Sequence, residues 1–192
     1  MQAKENFSKQ LDQNISVFSN LKTIEESVVS ASELINNSIK SGGKLMLCGN
    51  GGSAADSQHI AAELVGRFIK DRRPLPAIAL STDTSAITCI SNDYGYEYIF
   101  SRQVESLGNE ADVLLAISTS GNSNNIVEAI KTAKQKKLKV IGLLGKDGGV
   151  IKEMCDIPII VPSDVTARIQ EVHIFLGHFF CLMLEKSLGL DS

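Results

Sequence analysis

Residues Leu45 to Arg67 read LMLCGNGGSAADSQHIAAELVGR. Leu45, Met46, Leu47 and Cys48 form a short apolar run of the kind that makes a buried strand. The run meets a glycine loop, Gly49, Gly51 and Gly52, where backbone can turn tightly. Ser53 follows, with Asp56 three residues on. That spacing is a capping box with Asp in the place usually held by Glu or Gln, and it predicts a helix starting at Ser53. Strand, tight turn and helix in this order aim the first N–H groups of the helix at the loop, where an anion such as a phosphate can sit. His59, Glu63 and Arg67 are spaced four apart and are expected on one face of that helix.

Outward from this unit, strand-like runs at Lys44–Cys48, Ala77–Leu80, Val113–Ser118, Val140–Leu144 and Ile157–Val161 alternate with segments of helical spacing. The predicted helices cover about 53–69, 84–91, 96–107, 123–135, 148–154 and 166–187. Continuous apolar strands joined by helices predict an α/β fold, a parallel sheet covered on both faces. Ligands in such folds bind beyond the carboxyl ends of the strands. Residues 3–41 instead read as two helices broken near Ser19–Lys22, with no strand between them. They are expected to pack beside the main layer or against another subunit, so residues 1–192 form one domain with a helical extension at 1–41.

Composition narrows the class. The chain has 192 residues, 43% of them hydrophobic, with a net charge of -3, enough for one substantial core. Lys134, Lys136, Lys137 and Lys139 cluster at a predicted helix end, where cations favour the dipole, and no other basic patch suggests nucleic acid. The apolar passage Ile174–Leu184 contains His178 and is too short to span a bilayer. The first twenty residues carry Lys4, Glu5 and Asp12 without an apolar segment, so no secretory signal is expected. Cys48, Cys89, Cys155 and Cys181 are dispersed, without zinc-type spacing or the density of a disulfide scaffold. A cytoplasmic protein is the expectation.

The loops after the first and third strands share a chemistry. The first runs Gly49 to Ser53; the second reads Ser118-Thr119-Ser120-Gly121-Asn122-Ser123 and offers hydroxyl and backbone donors for an oxyanion. Neither contains Lys or Arg, and the P-loop pattern is absent, so a phosphate monoester fits better than a nucleoside triphosphate. Helix capping alone would also explain either loop. Gly49, Gly51 and Ala54 match a dinucleotide-binding pattern, but Asp71 and Asp83 are poorly placed for the ribose acid such a fold needs.

His59 and Glu63, at i and i+4, can share a metal or act as an acid–base pair, while Glu63 with Arg67 is equally an ordinary helix ion pair. The predicted C-terminal helix sets Arg168, Gln170, Glu171, His173 and His178 among apolar residues, and buried polar groups need partners. Gln170 and His178 lie within about 80° of each other around such a helix, His173 and His178 about 140° apart, which favours Gln170 with His178 as a pair. The apolar excess of this helix suggests burial on several sides, most simply in a homo-oligomer.

GNGGSAADSQHIAAELVGR, SNDYGYEYIFSRQVE, ADVLLAISTSGNS, GLLGKDGG and ARIQEVHI together resemble the phosphoheptose isomerases of the sugar-isomerase (SIS) domain class, from about Lys44 to the C-terminal helix. The resemblance implies a five-stranded, doubly wound parallel sheet flanked by helices, assembled as a homotetramer with active sites between subunits. It implies conversion of D-sedoheptulose 7-phosphate to D-glycero-D-manno-heptose 7-phosphate, the first step towards nucleotide-activated heptose for lipopolysaccharide, lipooligosaccharide or capsule. It also implies one zinc per subunit on His59, Glu63, Gln170 and His178. Substrate contacts would fall on Asn50, Gly51, Gly52, Ser53, Arg67, Asn92, Asp93, Ser118, Thr119, Ser120 and Ser123, with Glu63 and Gln170 also at the sugar. Ala167 departs from members that carry an aspartate there.

Moving a proton between C1 and C2 of an open-chain sugar needs a base, an acid and stabilisation of an enediolate. Glu63 is the expected carbon base and His178 the shuttle between oxygens. The competing expectation is a non-enzymatic SIS module that binds a phosphosugar or a replication-initiator partner. Such a module has no use for both Glu63 and His178.

Overall fold

The structure is a computed structural model that describes residues 2–191. Five strands, β1 (Leu45–Gly49), β2 (Ala77–Ala79), β3 (Val113–Ser118), β4 (Lys139–Leu144) and β5 (Ile157–Ile160), form one parallel sheet in the order β2-β1-β3-β4-β5. The strands sit within a residue or so of their expected places. Their order could not be read from periodicity, and it matters. From β1 the chain crosses to β2 on one side and then returns to place β3 on the other, so the loops after β1 and β3 diverge at the topological switch point, where open α/β sheets bind ligands.

Side-chain alternation divides the core into two layers. Leu45, Leu47, Val113, Leu115, Ile117, Ile141 and Leu143 point to one face. There they meet α2 (Glu25–Lys40), α3 (Gly52–Val65) and α7 (Thr166–Ser187). Met46, Cys48, Leu114, Ala116, Val140 and Leu144 point to the other face. They pack with α4 (Thr84–Asp93), α5 (Ser101–Leu107) and α6 (Asn124–Gln135). Period-2 alternation inside fully buried strands is what a two-sided parallel sheet requires.

The N-terminal α1 (Gln2–Ser19) buries no residue and leaves Phe7, Leu11 and Ile15 exposed along one stripe. A 3-10 turn at Leu21–Ile24 separates it from α2, at the expected break. Polar bonds hold α1 to α7: Arg168 Nη1 donates to Gln10 O at 2.7 Å and Asn14 Nδ2 to Glu171 Oε2 at 2.8 Å.

The helix expected over 96–107 is divided into a 3-10 turn at Tyr96–Tyr98 and α5, and three further local expectations fail for identifiable reasons. The helix expected over 53–69 ends at Val65, because Gly66 caps it and Arg72 takes the carbonyls of Glu63 and Leu64 that another helical turn would use. The segment 148–154 is helical only as a 3-10 turn at Lys152–Met154, since Gly148 and Gly149 hold positive φ angles of 81° and 52°. The Ser53/Asp56 capping box does not form. The N-cap is Gly51, at φ 56°, without any side-chain cap bond, and Ser53 lies inside the helix.

Candidate functional site

The first loop is shaped by close approach. A Cβ on Gly49 would lie 2.6 Å from Ser53 O, and one on Gly52 would collide with the Gln170 amide. Ser53 N–H turns back to Asn50 O at 3.0 Å and Ala54 N–H to Gly51 O at 3.1 Å. Gly51 and Gly52 are exposed, with their N–H groups at the mouth of the helix. In the second loop the buried Ser118 pairs its hydroxyl with that of Ser123 at 3.2 Å. Ser120 Oγ accepts the Asn122 N–H, and Thr119 and Ser120 are half-buried. Ser123 is the N-cap of α6 and makes no side-chain cap bond, so its hydroxyl faces the loop.

An amide pair joins the loops. Asn50 Nδ2 donates to Asn125 Oδ1 at 2.9 Å, Asn125 Nδ2 returns to Asn50 Oδ1 at 2.7 Å, and Tyr96 O–H reaches the same Asn50 oxygen at 3.0 Å. A cavity of about 350 Å³ opens between Asn50, Tyr96, Glu97 and the Asn122–Asn125 run. Asn125 and Tyr96 escape sequence reasoning, although Tyr96 lies in the SNDYGYEYIFSRQVE motif and Asn125 stands two residues after the second loop.

Further along α3, His59, Glu63 and His178 converge, with one ligand atom from each within 4.8 Å of the others. His59 Nε2 lies 3.2 Å from Glu63 Oε1 and 3.1 Å from His178 Nε2. The contact that brings α7 this close is Gly177, where a Cβ would strike Ile60 Cδ1 at 2.5 Å. Phe68 backs the cluster, its ring 5.5 Å from the His178 ring at an interplanar angle of 29°. Two imidazoles and a carboxylate are a donor set that suits zinc with an open position. The two separations from His59 Nε2 also approach the roughly 3.3 Å between ligand atoms of a tetrahedral zinc site.

The remaining candidates lie elsewhere in the protomer. Gln170 packs over Gly52 at the first loop, eight residues and about 12 Å along α7 from His178. Arg67 lies beyond the end of α3, exposed, and makes no ion pair with Glu63; the partner of Glu63 is His59. Asn92 and Asp93 end α4 on the surface, with Asn92 Nδ2 bonded to Asp93 Oδ1 at 2.7 Å. Ala167 is exposed in the first turn of α7. His173 turns away into the core, fully buried, with Nε2 3.1 Å from Leu144 O, and burial pushes its pKa down to about 4. Asp56, one turn before His59, has a buried and unpartnered Oδ2. Desolvation pushes its carboxyl up to about 6 against the pull of His59.

Residues 10–145 match the SIS domain family. A phosphoheptose isomerase from a Nitratiruptor species is 59% identical over 160 residues, covering 83% of this chain and 86% of that protein. The phosphoheptose isomerase of Neisseria gonorrhoeae superposes with a TM-score of 0.91 at 45% identity, over 96% of this chain and 99% of that one. One from Francisella tularensis reaches 0.94 at 37% identity, over 97% and 100%.

Proposed function

The chain belongs to the SIS-domain phosphoheptose isomerases, and on that premise we propose that it converts D-sedoheptulose 7-phosphate to D-glycero-D-manno-heptose 7-phosphate by acid–base proton transfer. The observation that carries this is that α3 starts at the first loop, which Asn50–Asn125 bonds join to the second, and carries His59 and Glu63 further along, where they meet His178 of α7. His59 is seven residues, about 10 Å, along α3 from Gly52, a span that an extended sugar phosphate can bridge.

The loops bind the phosphate through the hydroxyls of Ser53, Ser118, Thr119, Ser120 and Ser123 and the N–H groups of Gly51 and Gly52. The Asn50–Asn125 pair keeps the two loops at a fixed separation. With the phosphate anchored, the carbonyl end of the open-chain sugar reaches the cluster. Glu63 removes the C–H proton and returns it to the neighbouring carbon, and His178 carries a proton between the two oxygens. His59, Glu63 and His178 would hold zinc, with Gln170 as a further ligand or sugar contact. When bound, zinc supplies Lewis-acid polarisation of the carbonyl and offsets charge building on oxygen. Arg67, Asn92 and Asp93 contact the substrate in the assembled oligomer.

A homotetramer acting in the cytoplasm, at the entry to heptose synthesis for surface polysaccharide, completes the proposal. The exposed Phe7, Leu11 and Ile15 stripe and the exposed Phe175 on α7 support assembly. Among the described residues no helix is long and apolar enough to cross a membrane.

The test is to incubate the purified protein with sedoheptulose 7-phosphate and follow aldose formation by NMR, with and without chelator. Conversion that falls on chelation and returns with zinc is the expected result. Tight binding without conversion would instead favour a phosphosugar-binding module.

A further inference from the structure

Arg72 and Glu185 form an ion pair whose side chains are 2% and 0% exposed, with Arg72 Nε donating to Glu185 Oε1 at 2.7 Å. Taking two charges out of water is costly, and a buried pair is weak evidence of stabilisation by itself. The bonds around this pair point to another role. Arg72 Nη2 donates to the carbonyl of Glu63 at 2.8 Å, and Nη1 to those of Leu64 at 2.8 Å and Gly66 at 3.0 Å. These are carbonyls of the last turn of α3 and its cap, which lack helical partners. Glu185 Oε1 also accepts the Phe68 N–H at 3.1 Å, and the Phe68 ring lies against His178. One buried pair thus holds the backbone of Glu63 on α3 and, through Phe68, the imidazole of His178 on α7.

We propose that Arg72 and Glu185 are positioning residues that set the register of α3 against α7, so that Glu63 and His59 meet His178 in reactive geometry. The inference rests on the acid–base centre proposed above. An apolar pair would pack this space equally well but would give no direction to the α3 carbonyls. The guanidinium is a rigid planar fork of donors, and its bonds fix both distance and orientation. Errors near 1 Å at a reacting centre can cost about 10²-fold in rate, so register is where such a clamp would act.

The discriminating variant is the double replacement Arg72→Met with Glu185→Leu. It leaves no orphan charge and keeps an apolar filling, so it is expected to fold, yet it releases every carbonyl bond. Three readouts are taken: the imidazole 15N resonances of His59 and His178 in the metal-free protein, the Kd and visible absorption of bound Co2+, and the split of kcat and KM on sedoheptulose 7-phosphate. The expected result is shifted His59 and His178 resonances, a Co2+ Kd raised about 10- to 100-fold as for other residues that orient metal ligands, and kcat down by about the same factor. KM should stay within a few-fold, since β1 and β3 hold the phosphate loops. A purely stabilising pair would lower the melting temperature and move none of these, and a folded double variant matching the wild type in all three overturns the proposal. Should that variant not fold, Arg72→Lys keeps the charge and loses the fork. It should shift the same readouts in the same direction by a smaller factor, and parity with the wild type would again overturn the proposal. A wild type that binds no Co2+ and isomerises nothing counts against the proposed function, and the clamp is then judged by the histidine resonances alone.

Discussion

The loops after β1 and β3 and the His59–Glu63–His178 cluster are built in opposite ways. Each loop is continuous in sequence and sits on the end of a buried strand, and its donors are backbone N–H groups and short hydroxyls with little freedom to lose. The cluster joins side chains 119 positions apart, brought together by two helices that touch where Gly177 admits Ile60. A loop of the first kind tolerates small changes in helix packing. A cluster of the second kind depends on the register of α3 against α7, which is where the buried Arg72–Glu185 pair lies.

Three measurements would break or sharpen that contrast. The largest effect is expected for Glu63→Gln, which should lower kcat on sedoheptulose 7-phosphate by about 10³-fold, in the range for loss of a general base, while KM changes little. Near-normal turnover with metal still bound would remove Glu63 from the proton path and leave the cluster as a metal site only.

Next in size is a pH effect that separates the two histidines of α7. His173 has its pKa lowered to about 4 from 6.5 by burial. It is neutral in the folded state, where the unfolded chain would bind a proton. Its stabilising contribution is therefore complete above pH 6.5 and is lost as pH falls from 6.5 towards 4. Between pH 7.5 and 5, denaturant unfolding of the wild type should lose about 2 kcal/mol more than unfolding of His173→Gln does. Equal losses would show that His173 is not held neutral in the core. Turnover at pH 7.5 should fall far less in His173→Gln than in His178→Gln.

The smallest effect is expected at the loops. Ser118→Ala removes a hydroxyl that faces Ser123, and one charge-assisted bond to phosphate is worth roughly 1.5 kcal/mol or more. KM should rise by about tenfold with kcat nearly unchanged, as read by initial rates. A fall in kcat with KM intact would mean that the loops and the cluster are not separable.

The same contrast separates what is legible in the sequence from what is not. Both loops were legible, because glycine at Gly49, Gly51 and Gly52 and the hydroxyl run from Ser118 to Ser123 are consecutive residues whose chemistry needs no distant partner. The helix bearing His59 and Glu63 was legible too, but its end was not: Gly66 is a weak signal, and Arg72, which takes the last carbonyls, lies seven residues beyond Val65. The capping box at Ser53 and Asp56 was a false signal, because the tight turn at Gly51 had already supplied the helix start. Around α7, angular separation placed His173 and His178 on different faces and paired Gln170 with His178. In the folded protomer Gln170 lies over Gly52 and His178 meets His59, because helix contacts are decided along the axis as well as around it.

By itself, then, the sequence determined the class of the fold, the five strands, the two loops rich in glycine and hydroxyl groups and the family to which the chain belongs, all of which depend on residues close together in the chain. Only the tertiary structure decided the strand order that opens the crevice between β1 and β3, the meeting of His178 with His59 and Glu63, and the burial of Arg72 on Glu185. Those arrangements arise from packing between elements far apart in sequence, where local propensity carries no information and a single close contact, such as Gly177 on Ile60, sets which side chains can meet.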